Sequence, residues 1–245
     1  MLTALIKDRV YFKVFDKSFK QSSHIYYDNK TDDVKKLTKI GENLAAIKLA
    51  LKCSNLLILN QIHGNVVIDA DQMEFGNVKP SGDASITTER GLALAVLTAD
   101  CVPVLLSCEE GSAIGAAHCG WRGAKAGIID NLVVALKNKG VKNIKAIVGP
   151  AIQQFSYEVD HLYYQDFVNQ QKNYSKFFTA VKHSNRYLFN LPGFVEWHLK
   201  EVGISDILMI NENTYDMQDK YPSYRRSNHQ NVSNTQRILS AIVIK

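Results

Sequence analysis

From residue 55 onward the chain is divided into short, almost wholly apolar runs, each closed by a polar residue or a glycine. Leu56-Leu57-Ile58-Leu59, Val66-Val67-Ile68, Leu92 to Leu97, Val102 to Leu106 and Ala113 to Ala117 are five of them. Ile144 to Val148, stopped by Gly149-Pro150, Ile207 to Ile210 and Ile238 to Ile244 are three more. Runs of this length between turn residues read as strands. The alternation Val10-Tyr11-Phe12-Lys13-Val14-Phe15 adds a strand pair near the start.

Three segments carry helical spacing instead. Thr31-Asp32-Asp33 reads as a helix start, followed by Val34, Leu37, Ile40, Leu44, Ile47 and Leu51 at steps of three and four. Gly123 to Lys139 reads as one helix with Ile128, Ile129, Leu132, Val133 and Leu136 on its buried stripe, ended by Gly140 in the left-handed conformation. Pro192 suits the first turn of a helix reaching Val202 and closed by Gly203. Strands outnumber helices and alternate with them irregularly. The expected class is therefore α/β (α+β), with mixed sheets layered with helices. No repeat or linker divides residues 1–245, so one domain is expected.

Composition narrows the class further. At 245 residues, 46% hydrophobic and 22% charged, the chain can bury a core without disulfide staples. A net charge of +5 is too small and too scattered to indicate nucleic acid, but suits an anionic small ligand. No apolar run approaches the ~18 residues of a membrane span. The start, MLTALIKDRV, lacks the charged opening and long apolar stretch of a signal peptide, and four cysteines without a CxxC pair lead us to expect a reducing, cytoplasmic compartment.

The polar residues that interrupt the apolar runs are the candidates for chemistry. His63 lies in a turn between two strands, Cys101 at the join of two more, and His118 ends the small-residue strand Ala113 to Ala117. Two imidazoles and a thiolate form a zinc donor set with a fourth position left open. The alternative is three solitary, partly buried side chains, since the spacings match no short zinc-finger pattern. Side chains alternate along a strand, so Cys119 is a poor fourth ligand and Asp100 is expected to hold backbone or a neighbouring loop rather than share the pocket with Cys101. His24, His161, His183, His198 and His229 have no partner at ligand spacing.

Gly120-Trp121-Arg122-Gly123 joins a strand to a helix. Arg122 there suits a phosphate and Trp121 a stacked base, or the segment is a tight turn with a packed tryptophan. Ser223-Tyr224-Arg225-Arg226 offers two adjacent arginines, as an anion clamp or as a solvated pair.

Taken together these segments resemble a known family. The motifs are Asn60-Gln61-Ile62-His63-Gly64-Asn65, Gly82-Asp83-Ala84 with Leu97 to Leu106, Ala116 to Gly123, Gly149-Pro150-Ala151-Ile152 with Tyr157-Glu158-Val159, and Ser223 to Arg226. In this order they are similar to the laccase-domain, or polyphenol oxidase, family, now described as purine nucleoside phosphorylases with adenosine deaminase activity. The resemblance covers roughly residues 55 to 245; the first 50 or so diverge. It implies a single-domain cytosolic enzyme, of a fold compared with cysteine hydrolases, with zinc on His63, Cys101 and His118. Copper is a competent in vitro occupant of the same donors. Seven histidines and no His-x-His pair are too few for a multicopper cluster.

The resemblance implies purine nucleosides and phosphate as partners: adenosine and inosine, with guanosine and methylthioadenosine as further candidates. For the deaminase activity that the resemblance implies, a zinc ion on these residues would lower the pKa of a bound water to about 7 for attack on adenine C6. The acid/base of zinc deaminases is a Glu two residues after the ligand histidine. Asn65 stands there, so the proton carrier must come from elsewhere, with Asp83 as one candidate. Arg122, Arg225 and Arg226 are candidates for neutralising phosphate, and Trp121 and Tyr224 for contacting substrate. The chain departs from the family at Cys119, usually alanine, at Lys17, where an arginine would fall, at Asn213, usually cysteine, and at Gln236, usually glycine. Two rival readings remain. One is a hydrolase with Cys101 as nucleophile and His118 as base; the other is a non-catalytic zinc-containing regulatory partner.

Overall fold

The computed structural model describes residues 3–6, 9–19, 34–73, 79–233 and 236–245. The expected helix start at Thr31-Asp32-Asp33 lies outside the described residues.

Two large mixed sheets stack face to face. One contains β1 (Thr3–Ile6), β2 (Val10–Phe15), β3 (Asn55–Ile58), β6 (Leu92–Thr98) and β14 (Ile238–Ile244), in the order β1-β2-β14-β6-β3. The other contains β4 (Val67–Asp69), β5 (Ala84–Thr87), β7 (Val102–Cys108), β8 (Ile114–Cys119), β9 (Ile144–Val148) and β13 (Asp206–Met209), in the order β13-β9-β7-β8-β5-β4. The pairs β3–β6, β4–β5 and β9–β13 are parallel, while β6–β14 and β7–β8 are antiparallel. A three-stranded sheet of β10 (Glu158–Asp160), β12 (Arg186–Phe189) and β11 (Phe178–Ala180) stands beside them.

Alternation along the strands explains why the runs are apolar throughout. In β6, Leu92, Leu94 and Val96 face the second sheet, where they meet Leu105, Ile114, Ala116 and Ile147. Ala93 and Ala95 turn the other way, onto Ile47 and Leu51 of helix α1 (Val34–Leu51). The outer face of the six-stranded sheet is covered by α3 (Ile128–Asn138) and α5 (Leu191–Glu201) through Leu132, Leu136, Phe194 and Leu199. Both faces of the central strands β5, β6, β7, β8 and β14 are buried, which is what permits uninterrupted apolar runs there.

The expected helix from Gly123 to Lys139 is two helices, α2 (Trp121–Lys125) and α3. Gly127 divides them with φ 86°, a left-handed backbone that glycine adopts without penalty. The predicted stripe is buried on α3, and Gly140 and Gly203 end their helices at φ 77° and 93°. Helix α4 (His161–Gln170), β5 and α6 (Tyr224–His229) were not read from the sequence. In α4 only Phe167 is buried, so its periodicity is faint. Among the described residues no helix is long and apolar enough to cross a membrane.

Candidate metal centre and its cleft

The ends of β8 and β7 and the turn after β3 converge on one point. In β8, Ala117 and Cys119 face the helices while Ile114 and Ala116 face the sheet–sheet core. His118 falls on the second side by alternation. It pairs in register with Pro103, which brings Cys101, just before β7, alongside. The His63 turn closes the group. The ligand atoms of His63, Cys101 and His118 all lie within 4.8 Å of one another, the two imidazoles meeting edge to face at 4.7 Å. It is the one such cluster of three His, Cys, Asp or Glu among the described residues.

Asp83, wholly buried just before β5, sits behind this cluster. Its carboxylate accepts the N–H groups of Ile62, His63 and Gly64 at 3.2, 2.9 and 2.7 Å, and its Oδ1 lies 2.8 Å from His118 Nδ1. His63 has φ 58°, a left-handed backbone that costs a non-glycine residue about 1–2 kcal/mol. Hydrogen bonds to a charged acceptor contribute roughly 1.5–3 kcal/mol each, so three outweigh that strain. Asp83 therefore touches one ligand through its ring and another through its backbone, and it is not part of the cleft wall.

Two glycines allow the close approach. A Cβ on Gly120 would lie 3.0 Å from His63 Cδ2, 3.3 Å from Cys101 Sγ and 3.6 Å from His118 Cε1. One on Gly123 would lie 2.5 Å from the Gly64 carbonyl oxygen, so helix α2 can seat against the His63 turn only without a side chain there. This donor set, two imidazoles and a thiolate braced by a carboxylate, fits a metal ion, with His118 Nε2 left for it by the Nδ1 contact.

The electrostatics agree with a thiolate. Burial pushes the Cys101 thiol up, but His118 and His63 outweigh it and hold the pKa at about 6. Burial alone would lower His118, yet Cys101 and Asp83 raise it to about 9. Burial likewise works against the Asp83 carboxylate, and His118 with the Gly64 and Ile62 N–H groups holds it below its ordinary value. Cys119 is pushed well up by burial and stays a thiol packed in the core, away from the ligand set.

The cluster lines a cleft of about 1260 Å³. Trp121, Arg122, Tyr224 and Arg225 also line it. The Arg122 guanidinium lies 4.4 Å from the Trp121 ring centre, and that of Arg225 lies 5.0 Å from the Tyr157 ring while donating to the Glu158 carbonyl at 2.7 Å. Arg226 is not brought there. It is buried, and it donates to the carbonyls of Thr214, Tyr215 and Tyr221. The expected clamp of two arginines is thus one arginine in the cleft and one tying down its loop, because adjacent helical residues point in different directions. Lys17 donates to the Gln218 carbonyl and is not on the cleft wall.

Asp100 does hold a neighbouring segment, but, against the expectation, it also lines the same cleft as Cys101. Its carboxylate accepts from Thr214 Oγ1, Ser223 Oγ and the Arg225 N–H at 2.7, 3.0 and 2.7 Å. At φ 87° the chain is not extended here, so the turn rather than strand alternation sends Asp100 away from the cluster. Tyr163 was missed by sequence reasoning. Its hydroxyl lies 3.4 Å from that of Tyr157, and burial raises both phenols, Tyr157 to about 12, so they remain protonated donors on the wall. Nothing in the sequence separates Tyr163 from the other aromatic residues of α4.

Fold and centre together define a class. Residues 20–245 match the family model described as multi-copper polyphenol oxidoreductase laccase, and the chain belongs to that family. Among particular proteins, it is 48% identical over 244 residues, the full length of both, to the purine nucleoside phosphorylase RC0672 of Rickettsia conorii. It is 32% identical over 168 residues, 69% of this chain and 67% of the other, to the purine nucleoside phosphorylase YfiH of Escherichia coli. The crystal structure of the Neisseria meningitidis protein NMB0706 shares the fold at TM-score 0.84 and 24% identity, over 100% of this chain and 98% of that one.

Proposed function

We propose that residues 1–245 form one cytoplasmic, zinc-dependent purine nucleoside phosphorylase that also deaminates adenosine. The observation that carries this reading is the convergence of His63, Cys101 and His118 on the wall of an aromatic, arginine-bearing cleft. The names of the similar proteins support it. A zinc ion on these residues would supply Lewis acidity. The chain's own groups do the rest. Trp121, Tyr157, Tyr163 and Tyr224 offer rings and hydroxyls to the purine. Arg122 and Arg225 neutralise the phosphate that attacks the anomeric carbon as the purine leaves. Asp83 acts through His118, as the acceptor for the proton on Nδ1. Adenosine and inosine are the proposed nucleosides, with guanosine and methylthioadenosine as further candidates. Oxidation through several coppers is not part of this reading, because a four-electron centre needs more ligands than one set of three.

A specific observation favours a second reading: Asp83, His118 and Cys101 form a carboxylate–imidazole–thiol series, as in a cysteine hydrolase. One experiment separates the two. The purified protein is analysed for zinc and incubated with adenosine, with and without phosphate. Adenine and ribose 1-phosphate formed only with phosphate establish the phosphorylase, and inosine in either condition establishes the deaminase. No metal, no nucleoside product and a fast-alkylating Cys101 establish the hydrolase reading instead.

A further inference from the structure

The wall of the cleft that carries Arg225 is formed by residues 212–230, far in sequence from the metal loop at residues 98–102. The buried side chain of Asp100 joins them. Asp100 adjoins Cys101, and its carboxylate takes three donors from the distant segment: Thr214 Oγ1, Ser223 Oγ and the Arg225 backbone N–H. Ser223 in turn caps helix α6 by accepting the Arg226 N–H at 3.1 Å. The carbonyl of Asp100 accepts from Ile152 N–H at 3.0 Å, so backbone and side chain are fixed independently. The φ of 87° lies where Asp and Asn are tolerated far better than other non-glycine residues.

We propose that Asp100 is a positioning residue that sets the Arg225 wall relative to the metal centre and so sets the affinity for phosphate. The phosphate half of this inference rests on the phosphorylase reading. The carboxylate takes three donors from this segment, and Arg225 is held at two points: its N–H by Asp100 and its guanidinium by the Glu158 carbonyl. Loss of the first lets the guanidinium drift while leaving His63, Cys101 and His118 in place.

Asp100→Asn tests this. Asn keeps the tolerance for left-handed φ and one acceptor oxygen, but its amide group then faces at least one donor. Hydrogen exchange of the metal-loaded protein should quicken across 214–229, with β7 and β8 unchanged. Zinc affinity, measured by competition with a chromophoric chelator, should stay at the wild-type value. The KM for phosphate should rise about tenfold, with the KM for adenosine changing much less, as expected for losing placement of one charged contact. Thr214→Val, which removes one donor, should shift exchange and phosphate KM the same way by less, and it serves if Asp100→Asn does not fold.

Unchanged exchange at 214–229, or equal rises in both KM values, would overturn the inference. If the wild type forms no phosphate-dependent product, the phosphorylase reading falls by itself. Calorimetric titration with inorganic phosphate then decides: weaker binding by Asp100→Asn supports the inference, and equal or no binding by both proteins overturns it.

Discussion

His118 and the His63 turn share a single anchor, Asp83, whose Oδ1 lies 2.8 Å from His118 Nδ1 while its two oxygens collect three consecutive backbone N–H groups from Ile62 to Gly64. One carboxylate thus presents two of the three ligands. Asp83→Asn should lower zinc affinity by about 10–100-fold, the range seen when a ligand's outer partner is lost. Chelator competition measures it. Affinity unchanged from wild type would mean that the three side chains are placed without this anchor.

Metal removal should leave a reactive cysteine. With the Cys101 pKa held at about 6 by His118 and His63, its thiolate is largely formed above pH 6 and lost below it. Iodoacetamide should therefore label metal-free Cys101 at a rate that rises through about pH 6 and is flat by pH 7.5. Loading with zinc should suppress the labelling, since a bound thiolate is a poor nucleophile. A rise centred near the ordinary thiol value would show that the imidazoles do not act on Cys101.

Gly120 has φ −68° and ψ 158°, a backbone open to any residue, so its small size matters only to what lies beside it. In Gly120→Ala the added methyl falls 3.0 Å from His63 and 3.3 Å from Cys101. We expect zinc affinity to fall about tenfold, with the melting temperature of the metal-free protein nearly unchanged. Equal losses in both would assign Gly120 to folding instead.

His198, on α5, supplies a pH dependence remote from the cleft. Burial lowers its pKa below 6.5 despite Asp130, 3.7 Å away, and its Nε2 is buried without a hydrogen-bond partner. A lowered pKa means that the unfolded chain takes up the proton first as pH falls below 6.5. Stability is therefore full above that pH and declines below it, until the folded protein also binds the proton. His198→Phe should remove this part of the acid decline and add about 1 kcal/mol at pH 6, since it deletes a buried unpaired polar atom. Urea unfolding at pH 5.5, 6.5 and 7.5 provides the check. Parallel curves for variant and wild type would count against it.

Much of the frame was legible because it is local. Ile144–Val148 and Ile238–Ile244 fall on their predicted residues, since an apolar run bounded by turn formers has few other fates. The break at Gly127 was missed because a glycine inside a helical pattern is tolerated as often as it ends one. Helix α4 escaped because its neighbours bury only Phe167, which leaves no period to detect.

By itself the sequence determined which side chains interrupt the apolar runs, and therefore that His63, Cys101 and His118 stand at strand ends with Cys119 turned from them. Strand alternation follows from the extended backbone itself, so it carries over into any fold that keeps those strands. Only the tertiary structure decided what each neighbour does. Arg225 and Arg226 are adjacent and chemically equal, yet one faces the cleft and the other is spent on three carbonyls. Asp83 and Asp100 are both carboxylates beside the motif, yet one braces the ligands and the other binds a segment more than a hundred residues away. Hydrogen bonds act over about 3 Å, and residues that distant in sequence come within reach only when the sheets and helices have stacked.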